Sequence, residues 1–173
     1  MKSRVLISGL AILTGTVAVA AATTSANAST VREKQPADLQ AQVNEQLRNY
    51  PGGVQISPNE VTYKHGRVVL TIPDGRSAAA DPCATGAYCF YDGANFTGRK
   101  LTFRDCGGWQ YLTDYGFGNK TSSWTNATKN ETLVYDDDVK PQKLLWTERP
   151  GGASANVGTA AYNKADSFLT YCP

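Results

Sequence analysis

Cys83-Ala-Thr-Gly-Ala-Tyr-Cys-Phe-Tyr91 opens a stretch that continues through Asp92-Gly-Ala-Asn-Phe-Thr-Gly98 and closes on Gly118-Asn-Lys-Thr-Ser-Ser-Trp124. The C-terminal third of the chain is a worn copy of it. Tyr91-Asp92 returns as Tyr135-Asp136, Lys100-Leu101 as Lys143-Leu144, and Asn119-Lys-Thr-Ser-Ser-Trp124 as Asn163-Lys-Ala-Asp-Ser-Phe168, most of them 44 positions on. Self-similarity at one period means that a single supersecondary unit has been used twice. Two copies are too few for a solenoid or a propeller, and enough for two Greek keys closing on each other.

The strands are short. Cys89-Phe90-Tyr91, Lys100 to Phe103, Leu133 to Tyr135, Lys143 to Trp146 and Phe168 to Tyr171 are aromatic or β-branched runs cut by Gly, Asn and Asp, and no helical period survives among them. This pattern predicts an all-β, antiparallel domain over residues 81–173.

Outward from it toward the N-terminus the composition changes. Leu39, Val43, Leu47 and Tyr50 form an apolar stripe that predicts a helix over 37–49, stopped by Pro51-Gly52-Gly53. Val61 and Tyr63, then Val68, Leu70 and Ile72, alternate as a hairpin with His65-Gly66 as a two-residue turn, and Pro73-Asp74-Gly75 ends it. A helix and hairpin of this size bury little on their own, so 29–80 reads as an N-terminal arm or prosegment, with 76–82 as a linker or processing site. At the start, Lys2 and Arg4, an apolar run from Val5 to Ala22 and the small residues to Ala28 read as a signal peptide cleaved after Ala28. The expected location is therefore secreted.

Export puts the four cysteines, Cys83, Cys89, Cys106 and Cys172, where disulfides form. Three pairings are open. Cys83 and Cys89 are close enough to staple a short loop, leaving Cys106 for Cys172. Loss of Lys2 and Arg4 with the leader reduces the 17 basic residues to 15, against 15 acidic ones. A neutral mature chain gives no argument for nucleic acid or anionic membrane as a partner.

Tyr91 with Phe96 and Gly98 resembles the βγ-crystallin signature, in which an aromatic packs over a folded hairpin and a glycine takes its positive φ. More narrowly, Cys83 to Cys89 with Tyr91, and Ser123-Trp124-Thr-Asn126-Ala-Thr128 leading to Thr132-Leu-Val-Tyr135, are similar to the secreted bacterial peptidase inhibitors typified by the streptomycete metalloproteinase inhibitor. The resemblance implies a βγ-crystallin-like domain of two Greek keys behind a helix-plus-hairpin arm. It also implies a monomer whose partner is an extracellular peptidase, most of all a metallopeptidase. The inhibitory loop would be Trp146, Thr147, Glu148, Arg149 and Pro150. In that family a local disulfide holds the loop; this chain has no cysteine between Cys106 and Cys172, leaving Pro150 and packing to hold it.

Crystallin-type sites bind Ca²⁺ through backbone carbonyls and an oxygen side chain at the fifth motif position. The resemblance points to Asn119 and Ser122 in the first copy and Asn163 and Asp166 in the second, with Asp92 and Asp136 opposite. Ca²⁺ is thus a candidate ligand, and no cofactor is required. The other reading is a crystallin-like structural or calcium-binding protein with no inhibitor activity.

Enzyme chemistry is poorly supplied. Adjacent carboxylates Asp136-Asp137-Asp138 point apart, whereas glycoside hydrolysis needs two that face each other. His65 is the sole histidine and reads as an exposed turn residue, so no Ser-His-Asp or Cys-His set is assembled. Asn95, Asn119, Asn126 and Asn130 begin Asn-x-Ser/Thr sequons, for which turn formation is the better account. Among Trp109, Trp124 and Trp146, Trp109 beside Gly107-Gly108 is the one expected to be exposed.

Overall fold

The computed structural model describes residues 25–75 and 82–172. Residues 1–24 of the expected signal peptide, residues 76–81 of the expected linker and residue 173 lie outside them.

Among the described residues, one α-helix and eleven strands succeed one another, with three short 3-10 turns between them. Helix α1 is Ser25–Asn49; β1 is Val54–Ser57, β2 Glu60–Tyr63, β3 Val68–Thr71, β4 Tyr88–Tyr91, β5 Lys100–Phe103, β6 Gly108–Tyr111 and β7 Ser123–Asn126. The second repeat supplies β8, Thr132–Asp136, β9, Lys143–Glu148, β10, Ala153–Ser154, and β11, Ser167–Thr170. They form two antiparallel sheets ordered β1-β2-β3-β5-β4-β7-β10 and β6-β11-β8-β9.

The duplication is visible in that order. The first repeat gives β5-β4-β7 to one sheet and lends β6 to the other, while the second gives β9-β8-β11 and lends β10 back. Each sheet thus needs both repeats, which is the two-Greek-key βγ-crystallin arrangement. Between the sheets lie Tyr88, Phe90, Phe103 and Phe168. Phe168 is central, with ring centroids 4.7 Å from Phe103, 5.0 Å from Phe90 and 5.9 Å from Tyr88. Tyr91 packs its ring against Phe96 at 5.7 Å, and Gly98 turns at φ 78° where a Cβ would strike the Asp92 carboxylate.

The arm is not a separate body. Strand β3 pairs with β5 in register from Val68↔Phe103 to Thr71↔Lys100, and Val43, Val61, Val68 and Leu70 are buried in the same core as Phe90 and Phe168. Gln46, buried on α1, donates to Tyr63 Oη and to the Tyr115 carbonyl, both at 2.9 Å. Leu39 and Val43 face the core as the stripe predicts, with Leu47 and Tyr50 half-buried beside them.

Two local expectations are corrected. The helix begins at Ser25 rather than near 37. The β2–β3 connection is four residues, because Tyr63 pairs with Val68. Lys64, His65 and Gly66 all take positive φ there, and Arg67 N–H closes on Lys64 O at 3.3 Å. His65 is exposed.

Strands β1 and β7 and the lent strands β6 and β10 lie outside the runs that the sequence pattern marks. The cysteines pair Cys83 with Cys89 and Cys106 with Cys172, closing separations of 6 and 66 residues. Among the described residues no helix is long and apolar enough to cross a membrane.

Candidate inhibitory turn and cation site

The segment from Leu145 to Gly151 is mostly strand. β9 carries Trp146, Thr147 and Glu148 on the outer edge of its sheet, paired to β8 as Val134↔Trp146, Leu133↔Thr147 and Thr132↔Glu148. Arg149 to Gly152 then forms a tight turn in which Gly152 N–H donates to Arg149 O at 2.9 Å. Pro150 followed by Gly151 at φ 68° fits a type II turn, where the third residue must be left-handed. β10 leaves it for the other sheet, pairing with β7. Of the five residues expected in the loop, Thr147, Arg149 and Pro150 are exposed, Trp146 is half-buried against the core and Glu148 is fully buried.

Hydrogen bonds fix the base of this turn, so it does not depend on Pro150 and packing alone. Asn126, fully buried on β7, donates from Nδ2 to Glu148 O at 3.2 Å and Asn130 O at 2.8 Å. Its backbone N–H reaches Gly152 O at 2.8 Å, and Gly151 N–H reaches Thr128 O at 3.2 Å. Asn126 Oδ1 accepts from Thr128 N–H and Oγ1 at 3.0 and 2.6 Å. This single residue clamps both sides of the turn. In the sequence it reads only as the start of a sequon.

Directly below the turn, Glu148 points inward. Trp146 Nε1 donates to its Oε1 at 3.1 Å, while Oε2 and the neighbouring Thr132 Oγ1 have no protein partner among the described residues. Burial pushes the Glu148 carboxyl up to about 8, only partly opposed by the Trp146 bond. At neutral pH it is therefore held as the uncharged acid.

The paired Asn motifs exchange partners. Asn119 Nδ2 donates to Asp138 at 2.8 Å, beside Asp166, and Asn163 Oδ1 meets the Ser122 hydroxyl at 3.4 Å. Carboxylate oxygens of Asp136, Asp138 and Asp166 lie within 4.8 Å of one another. Burial raises the Asp166 carboxyl first, and the acids Asp138, Asp137 and Asp136 raise it further, against one lowering bond from Asp137 N–H.

A hard divalent cation fits that oxygen set. The quasi-equivalent place in the first repeat fits one less well. Asp92 is committed to Arg99 through its Nε and backbone N–H, each at 2.7 Å, and the Ser122 hydroxyl donates to Asp92 O at 2.9 Å. Arg99 also lies over the Phe117 ring, at 5.3 Å from its centroid. A protein cation therefore occupies the carboxylate there. Ser123 Oγ donates to Gly93 O at 2.6 Å and accepts from Phe96 N–H at 3.0 Å, holding the folded hairpin.

A two-Greek-key domain with a clamped surface turn is the class that this geometry defines. Residues 76–142 match the family model of peptidase inhibitor family I36. The matching model is that of the inhibitor family whose resemblance the sequence carries. It spans the first repeat and enters the second, stopping short of the Arg149 turn. No curated protein matches the chain.

Among solved structures, one described under the evolution of the eye lens βγ-crystallin domain fold is 14% identical with a TM-score of 0.46, covering 61% of this chain and 98% of that one. A βγ-crystallin domain from Clostridium beijerinckii is 21% identical with a TM-score of 0.41, covering 49% and 97%. One from Flavobacterium johnsoniae is 15% identical with a TM-score of 0.37, covering 49% and 93%.

Proposed function

We propose that the chain is a secreted inhibitor of an extracellular metallopeptidase and blocks the active site with the end of β9 and the Arg149–Gly152 turn. The observation that carries this is the Asn126 clamp. An inhibitory segment must dock with little loss of entropy and keep its shape afterwards, and a turn tied at Glu148 O, Gly151 N–H and Gly152 O meets both demands without a local disulfide. The adjacent edge of β9 supports the reading. β3 covers the matching edge of β5, whereas β9 ends its sheet and offers main-chain groups to a cleft that binds extended peptide.

Titration of the purified chain against thermolysin and subtilisin, with a small fluorogenic peptide as substrate, tests this. Inhibition at or below micromolar concentration, lost on replacing Arg149 and Pro150 by Ala, is the expected result. No inhibition of either enzyme, or rapid cleavage within 145–151, would sink it.

A second reading, compatible with the first, rests on the Asp136, Asp138 and Asp166 cluster: one Ca²⁺ bound by the second repeat. Asp166 and Asp138 would hold it by carboxylate, with Asp136 behind them. Calorimetric titration with CaCl₂ checks this, and absence of heat at millimolar Ca²⁺ refutes it.

A further inference from the structure

Among the described residues, the outward side of the β6-β11-β8-β9 sheet lacks the cover that its counterpart has. Trp109, Leu169 and Leu133 lie in one row across it, and Tyr111, Tyr135 and Leu144 in the next. Thr147 and Ser167 complete the rows, so neither contains a charge. Trp109, Tyr111 and Leu144 are 39%, 43% and 47% exposed. Ser167 is small enough for the Trp109 and Tyr135 rings to meet across β11, with centroids 5.0 Å apart.

In the first repeat the same face is closed. Cys89 and Tyr91 are buried beneath Cys83, Ala84 and Phe96. The second repeat has no cysteine staple, and Val139-Lys140-Pro141-Gln142 stands where Phe96-Thr-Gly98 would be. Tyr135, the counterpart of Tyr91, turns to Trp109 instead.

The size and place of the patch choose its occupant. These side chains, with Tyr171 beyond them, leave on the order of 400 Å² of mostly apolar surface in water. That is within the roughly 300–600 Å² of functional patches, but well short of the ~800 Å² per partner of a stable complex. A second copy held by this face alone would be too weakly held. The patch is, however, continuous with the turn: Thr147 lies two residues before Arg149, and Leu144 lies on the same strand. A peptidase that takes the turn into its cleft sets the rim of that cleft along β9.

We infer that this uncharged aromatic face is a second contact surface for the peptidase and receives an apolar rim beside its active-site cleft. The inference rests on the inhibitor reading. The face adds to the turn a contact with aromatics and no charge at its centre, as interface cores favour.

The full chain, the double variant Trp109→Ser with Leu144→Ser, and the Arg149 and Pro150 double alanine variant are titrated against thermolysin and subtilisin as probes. The Trp109 and Leu144 variant should weaken inhibition ten- to a hundredfold at an unchanged melting temperature. Equal inhibition by that variant and the wild type overturns the inference and leaves the turn reading standing. No inhibition by the wild type removes both. A wild type that sediments as a dimer, and that these substitutions convert to monomer, assigns the face to self-association and overturns the inference. Should the double variant melt early, Leu144→Asp, which alters one exposed edge side chain, carries the same test.

Discussion

Asn119 and Asn163 take the same left-handed backbone conformation, φ 56° and 54°, and each gives its N–H to the other repeat, to Ala165 O at 2.9 Å and Thr121 O at 3.3 Å. The motif copies are therefore interlocked, and the loop cluster at each Asn draws on both. This relation explains why the second place gathers Asn119 with Asp138 and Asp166, while the first holds Asn163 with Ser122 and leaves Asp92 to Arg99.

Calcium should stabilise the protein through Asp166. Its raised carboxyl pKa comes from burial and from neighbouring acids, so ionising it costs stability as pH rises, and a bound cation offsets that cost. With an affinity typical of extracellular calcium modules, 5 mM CaCl₂ should add about 1–2 kcal/mol, a rise of a few degrees in melting temperature. The rise should be larger at pH 7 than at pH 5. Asp166→Asn should abolish the calcium effect and raise the calcium-free melting temperature. Scanning calorimetry of both proteins reads each outcome.

Glu148→Gln should stabilise the protein at neutral and alkaline pH. The folded-state pKa of Glu148 is raised from 4.5 to about 8, so its contribution is intact below about pH 4.5 and is lost progressively as pH rises to about 8. At pH 7, keeping the acid protonated costs about 3 kcal/mol relative to an unfolded chain free to ionise. Gln avoids that cost and retains an acceptor for Trp146 Nε1. Denaturant melts should show the variant well above wild type at pH 7.5 and close to it at pH 4.5; parallel curves across this range would contradict the burial argument.

Much of the architecture is legible in the sequence. The 44-residue repeat and five aromatic runs suffice for two Greek keys, because strands buried on both faces, such as Tyr88 to Tyr91, must be apolar throughout. The lent strands are not legible. Gly108 to Tyr111 and Ala153-Ser154 are short, largely exposed and pair across repeats, so no local period marks them. The Arg149–Gly152 turn carries Pro-Gly, which reads as a turn, but its support is hidden. Asn126 and Glu148 carry ordinary turn and surface side chains, and only the registers of β7 and β9 turn them inward. The helix stripe shows a buried face without showing that the face belongs to the common core.

Loss of the Asn126 clamp should turn the inhibitor into a substrate. Asn126→Ala removes two donated bonds and two accepted ones from a fully buried site, costing about 2–4 kcal/mol. Its effect should be concentrated at the turn. Incubated with thermolysin or subtilisin, the variant should be cleaved between 148 and 152 while the wild type stays whole, as mass spectrometry of the products would show. Cleavage elsewhere first would mean that the clamp serves the sheet rather than the turn.

The arm should stay in place when the linker is cut. Val43, Val61, Val68, Leu70 and Ile72 are at most 2% exposed, and at roughly 1.5–3 kcal/mol each their burial contributes on the order of 10 kcal/mol as an upper figure. The β3–β5 ladder adds main-chain bonds along four residue pairs. A protease site engineered into 76–81 and cleaved should therefore give two pieces that co-elute in gel filtration and part only in denaturant. A chain beginning at residue 82 should aggregate, because it bares the β5 edge and leaves Phe103 and Tyr115 without the Val68 and Gln46 that cover them. Separation of the cut pieces in native buffer would show the arm to be a removable prosegment, with the 82–173 domain self-sufficient.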